Sequence, residues 1–275
     1  MLVATAAVRP AGQWRWDVLI ASALGVALLH AAGNLLNDYF DFRRGVDRRD
    51  QDDATRPGRL LVRGRLRPRD VLIEALVCLG LVAPVGVYLL ARCGWGLLGF
   101  GLAGAAAGYA YTGPPFKLKY RALGEVLIFA VYGPLLVLGA AYAQTGAFEA
   151  TAAYLSIPIG LATTAILAAN NVRDAQEDRI DGVVTIGHLA GGRFARGLYV
   201  VLVLGCVGTL AGYAVGGVLP GVVVASPALL LLLARPLGCV WHGRRLADID
   251  ARTARFEAAL LGFLFLALTV RGASG

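Results

Sequence analysis

The stretch Asp17-Val-Leu-Ile-Ala-Ser-Ala-Leu-Gly-Val-Ala-Leu-Leu-His30-Ala-Ala-Gly-Asn34-Leu-Leu-Asn37-Asp38-Tyr-Phe-Asp41 decides the fold. Its apolar part reaches the roughly 20 residues that cross a bilayer as a helix. At its far end, residues 34, 37, 38 and 41 share one helical face, because neighbours three and four apart align. Asn34, Asn37, Asp38 and Asp41 therefore make one polar stripe, extended upward by His30. Carboxylates are costly near hydrocarbon, so a membrane helix that ends in an acidic face signals a functional site.

A second stretch repeats the device: Asn170-Asn171-Val-Arg173-Asp174-Ala-Gln-Glu-Asp178-Arg-Ile-Asp181-Gly182. Asn170, Asp174 and Asp178 recur every four residues, again where an apolar run enters a basic connection. The Asn-x-x-x-Asp echo at 34/38 and 170/174 is consistent with one transmembrane domain, 1–275, built from two related halves, roughly 1–143 and 144–275.

Composition agrees with a membrane chain. Of 275 residues 57% are hydrophobic and 16% charged, with mean hydropathy +0.65, against about 25% charged in soluble domains. The sequence predicts an all-α polytopic membrane protein with eight complete helices near 17–38, 71–91, 95–112, 123–143, 152–171, 197–216, 218–235 and 256–272. Gly216-Gly217 to Pro220 reads as a tight helical hairpin.

The net charge of +8 does not indicate nucleic acid, because the basic residues alternate between connections as topology requires. Residues 43–70 hold ten arginines, whereas the connections near 92–94, 144–151 and 216–220 hold only Arg92. The positive-inside rule then puts both acidic motifs on the cytoplasmic side of the cell membrane. This count places the N-terminus outside, and Leu2–Val8 reads as the end of a first helix that begins upstream. No basic region precedes that apolar start, so it is not read as a signal peptide. Cys78, Cys93, Cys206 and Cys239 lack metal or disulfide spacing and read as small membrane-core residues.

Two facing acidic stripes repel unless a cation lies between them. Their donors are all oxygens, which suits Mg²⁺; that ion takes one or two carboxylates and leaves its other positions to water and substrate phosphate. A third segment, Tyr109-Ala-Tyr111-Thr-Gly113-Pro114-Pro115-Phe116-Lys117-Leu-Lys119-Tyr120, supplies cations for phosphate oxygens in Lys117 and Lys119. Tyr109 and Tyr111 supply ring faces able to stabilise a developing carbocation.

The pattern Asn37-Asp38-x-x-Asp41-x-x-x-Gly45-x-Asp47, then Tyr111-Thr-Gly, Leu123-Gly-Glu125, and Asn170-Asn171-x-Arg173-Asp174-x-x-x-Asp178-x-x-x-Gly182-x-x-Thr185, resembles the UbiA-type intramembrane prenyltransferases. It is most similar to the branch that prenylates 1,4-dihydroxy-2-naphthoate in menaquinone synthesis. The resemblance implies helices around a central cavity opening to lipid, with Mg²⁺ and prenyl diphosphate at the cytoplasmic cap. It implies transfer of a polyprenyl group to an aromatic acceptor. Asp38, Asp41, Asp174 and Asp178 would hold two Mg²⁺ ions with Asp47 assisting. Asn34, Asn37, Asn170 and Asn171 would position substrate, and Arg173, Lys117, Lys119 and Arg56 would meet diphosphate.

Three departures stand out. The family's first helix is largely missing, Asp41–Gly45–Asp47 replaces the Asp-x-x-x-Asp of many members in the manner of the naphthoate branch, and Val183 stands where that branch often carries a basic residue. A membrane terpene cyclase and a cation-coupled transporter are the competing readings, and the sequence identifies no general base.

Overall fold

The computed structural model describes residues 1–45, 59–180, 184–244 and 246–273, with side chains given except at 11, 59, 176–180, 188 and 271–273. The described residues are helical, as the hydrophobic runs require. In order they are α1 (Leu2–Val8), α2 (Trp16–Arg44), α3 (Arg59–Val62), α4 (Pro68–Cys93), α5 (Gly96–Thr112) and α6 (Gly124–Ala130). A π-helical segment, Val131–Leu135, joins α6 to α7 (Leu136–Thr145). Then come α8 (Ala150–Ile180), α9 (Ile186–Ala190) and α10 (Gly192–Val215). A 3₁₀ segment, Gly221–Leu233, leads into α11 (Ala234–Trp241), and α12 (Ile249–Ala273) follows.

Among the described residues, seven helical stretches are long and apolar enough to cross a membrane, not the eight expected. The difference is α5, which has 17 residues and so spans about 26 Å against a hydrocarbon core of about 30 Å. Gly113-Pro114-Pro115 cuts it short, since proline lacks the N–H that would continue the ladder.

Helix ends also differ from the apolar limits. α2 runs six residues past 38 and stops at Gly45, whose left-handed backbone (φ 71°) lets its N–H reach the carbonyls of Asp41 and Phe42. α8 continues to Ile180, nine residues beyond the expected end, because polar residues such as Gln and Glu leave the membrane without leaving the helix. The hairpin at 216–220 is present, with Gly217 at φ 73°.

α2 packs along α4, and α8 along both α10 and α12. A core of Leu155, Tyr199, Cys206, Phe256 and Leu260 fills the second of these groups. The groups meet where the π segment crosses α8. A Cβ on Gly133 would lie 3.0 Å from the Gly160 Cα, and one on Gly160 would lie 2.9 Å from Phe129, so only glycine permits this backbone approach. The four cysteines are free.

Candidate active site

The acidic stripe of α2 forms as the spacing requires. Asn34, Asn37, Asp38 and Asp41 all face one cavity of about 720 Å³. Asp41 is buried, 6% exposed, and the turn after α5 compensates its charge. Lys119 Nζ donates to Asp41 Oδ2 at 2.7 Å and to Asn37 Oδ1 at 3.2 Å, while the Tyr120 hydroxyl donates to the other carboxylate oxygen of Asp41. Arg44 stacks on the Tyr120 ring at 3.9 Å.

The chain reaches this turn by a local reversal. Lys117 (φ 52°) and Ala122 (φ 55°) bracket the 3₁₀ turn Leu118–Arg121 in left-handed conformations. The Ala122 N–H then donates to the Val184 carbonyl. That bond docks the Gly-Pro-Pro segment against the connection after α8, so all three sequence motifs meet at one end of the cavity.

From α8, Asn170, Asn171, Arg173 and Asp174 line the same space, with Thr185 beside them. Arg173 is the hub: its guanidinium grips both oxygens of Asp174, at 2.8 and 2.9 Å, and donates to Asn170 and Asp250. The Asn171 amide donates to Glu125 at 2.8 Å, a carboxylate only 6% exposed. Below this polar cap the walls turn apolar, through residues such as Val85, Leu97, Phe100, Ile128 and Leu135.

Ten of the expected site residues thus share one cavity: Asn34, Asn37, Asp38, Asp41, Tyr111, Lys119, Asn170, Asn171, Arg173 and Asp174. Tyr109 and Lys117 do not line it. The Tyr109 hydroxyl donates to the Pro114 carbonyl at 2.7 Å and its ring sits edge-on to Phe40. Asp47 and Arg56 lie outside the described residues, as does Val183; Asp178 lies in α8 with its side chain outside the description.

Sequence reasoning passed over Tyr120, Tyr132, Asp250 and the role of Glu125. A detectable signal existed for two: Glu125 is an acid in the first turn of an apolar span, and Tyr132 precedes Gly133-Pro134 in mid-span.

Among the described residues, no three His, Cys, Asp or Glu side chains gather as a ready metal cage. The donor chemistry at the cap nevertheless fits a hard divalent cation that completes its shell with phosphate. The carboxylates of Asp38 and Asp174 and the amides of Asn37 and Asn170 face one space, and cysteine is absent from its lining. Asp41 keeps lone pairs beyond those given to Lys119 and Tyr120, since a carboxylate accepts about four hydrogen bonds.

Comparison with known proteins agrees. Residues 1–269 match the family model described as the UbiA prenyltransferase family. The chain is 33% identical over 257 residues to UbiA prenyltransferase domain-containing protein 1 of Homo sapiens, covering 90% of this chain and 72% of that one. It is also 33% identical over 215 residues to 1,4-dihydroxy-2-naphthoate octaprenyltransferase of Bacillus subtilis (strain 168), covering 78% and 66%. Among solved structures, a UbiA homolog from Archaeoglobus fulgidus bound to GPP and Mg²⁺ superposes with a TM-score of 0.68 at 18% identity, over 98% of this chain and 94% of that one. This last likeness establishes the fold.

Proposed function

The chain belongs to the UbiA prenyltransferase family, and from that membership we propose that it transfers a polyprenyl group from its diphosphate to 1,4-dihydroxy-2-naphthoate. The observation that carries this reading is the division of one cavity into a cap of acids, amides, Lys119 and Arg173 above an apolar chamber. Such a chamber accepts a prenyl chain, and such a cap accepts its diphosphate. The named activity of the Bacillus subtilis relative supports the choice of acceptor.

Asp38, Asp41 and Asp174 would hold Mg²⁺, joined by Asp47 and Asp178 as the sequence motifs expect. When bound, the ion neutralises charge building on the departing diphosphate. Lys119 and Arg173 donate to phosphate oxygens, aimed by Asp41 and Asp174, whose ion pairs fix them before substrate arrives. Asn34, Asn37, Asn170 and Asn171 orient the head group. The apolar walls exclude water from the allylic cation, the Tyr111 ring face stabilises it, and an electron-rich ring carbon of the acceptor captures it.

A panel of prenyl diphosphates, assayed with and without dihydroxynaphthoate in the presence of Mg²⁺, tests the reading. A prenylated naphthalene ring formed only with both substrates supports it. Turnover that ignores the acceptor contradicts it.

A further inference from the structure

Deeper in the cavity a polar chain runs from Asn34, at the edge of the diphosphate cap, to His30 and Tyr132. His30 stands at the midpoint of the 29-residue α2, eight residues before Asp38 and so about 12 Å further along the helix axis. An ionisable side chain at this depth is expensive and marks function. Its Nδ1 lies 2.6 Å from the Tyr132 hydroxyl, and its Nε2 lies 3.2 Å from the Asn34 amide nitrogen. The imidazole and phenol rings meet edge to face at 83°. His30, Asn34 and Tyr132 all line the cavity.

Tyr132 is held there by backbone, not by chance. It belongs to the π-helical segment Val131–Leu135, and π turns recur at functional sites. Its neighbour Gly133 is locked against Gly160 of α8. Glu257 is engaged by the Thr163 hydroxyl and does not line the cavity.

The chain can be hydrogen-bonded in two senses, because an amide and an imidazole each offer a donor and an acceptor. With the Asn34 NH₂ on Nε2, Nδ1–H donates to Tyr132, which then presents its own proton to the cavity. With the Asn34 carbonyl on Nε2–H, Tyr132 donates to Nδ1 and presents a phenol lone pair to the cavity. The second arrangement can take a proton from a ligand hydroxyl.

We propose that Tyr132 and His30 form the proton acceptor for a hydroxylated aromatic ring, an inference that rests on the aromatic prenyl transfer put forward above. The acceptor hydroxyl gives its proton to Tyr132 Oη as Tyr132 gives its own to His30 Nδ1, leaving an aryloxide and an imidazolium bonded to the Asn34 carbonyl. The aryloxide ring carbon bearing the carboxylate bonds to the allylic carbon, whose C–O bond breaks with both electrons going to diphosphate. Carbon dioxide then leaves, its bonding pair restores the aromatic aryloxide, and the imidazolium returns the proton.

The test compares His30→Ala and Tyr132→Phe with the wild-type enzyme. General-base loss should lower kcat by about 100-fold or more in His30→Ala and about 10-fold or more in Tyr132→Phe, with little change in the KM for prenyl diphosphate. Added imidazole should restore part of the His30→Ala rate, and an acceptor with a more acidic hydroxyl should shrink its defect. A purely structural histidine gives neither response. Near-wild-type kcat in either variant, or losses indifferent to imidazole and to acceptor acidity, would overturn the inference alone. Absence of any prenylated ring from the wild-type enzyme would instead remove the reaction itself, and this inference with it.

Discussion

Lys119 Nζ stands 2.7 Å from Asp41 Oδ2, an ion pair that fastens the turn after α5 to the last turn of α2. The side chains are 26% and 8% exposed, so removing one partner strands a charge with little water to receive it. Breaking a fully buried pair costs about 3–5 kcal/mol, an upper bound here because Lys119 is partly solvated. Lys119→Met should therefore lower both Tm and turnover. Pairing it with Asp41→Asn should recover much of the Tm but none of the activity. Additive loss of Tm in the double variant would show that the pair does not couple.

Asp38 and Asp174 face the cap of the cavity, whereas Asp17 is paired with Arg92 at the opposite end of α2. Asp38→Ala and Asp174→Ala should each cut kcat by about 100-fold or more, the scale of losing one preorganised electrostatic contact. Asp17→Asn should change it by less than about twofold, since exposed pairs contribute about 0–1 kcal/mol. Chelation should stop turnover and Mg²⁺ should restore it. Undiminished activity after exhaustive chelation counts against the oxygen-donor cap as a metal site.

The crossing of Gly133 and Gly160 leaves no room for a side chain. Gly160→Val should part the π segment from α8, lowering Tm and displacing Tyr132 from the cavity wall. Gly208, on α10, has open space around its Cβ position. Gly208→Ala should be neutral or slightly stabilising, as alanine is favoured over glycine in a helix by about 1 kcal/mol. Equal damage from both would show that the crossing is not special.

Phe148 precedes α8, and Arg193 follows it across the connection to α10. With the native cysteines replaced by alanine, Phe148→Cys and Arg193→Cys should label from opposite sides of sealed vesicles, Arg193→Cys from the cytoplasmic face that basic connections favour. Labelling of both from one side would mean that α8 does not cross.

Helical periodicity makes the stripes of Asn34, Asn37, Asp38 and Asp41, and of Asn170 and Asp174, legible in the amino-acid sequence, because three- and four-residue spacing fixes a face. Tyr111 shares the cavity-lining face of α5 with Ala107 and Gly108, four and three residues earlier, whereas Tyr109 turns to Pro114 and Phe40. The choice of Lys119 over Lys117 hangs on the left-handed residues at 117 and 122, a chain reversal that residue types do not announce. Hydropathy locates the spans but not their ends. It stops the fifth run at 171, where the apolar residues end and α8 does not, and it counts α5 as a full span although its 17 residues fall short of the other seven helical stretches. Tyr132 stays hidden because its role depends on a π turn and a partner 102 residues away.

The reaction proposed for the cavity makes one demand that no competing chemistry shares. A dihydroxynaphthoate attacked at its carboxylate-bearing carbon must release that carboxylate for every prenyl group it accepts. With carboxyl-labelled dihydroxynaphthoate and a long prenyl diphosphate, the enzyme should yield labelled carbon dioxide, diphosphate and prenylated ring in equal amounts. Diphosphate released with a cyclic hydrocarbon and no labelled gas, or no diphosphate at all beside ion-dependent solute uptake into vesicles, would contradict the account.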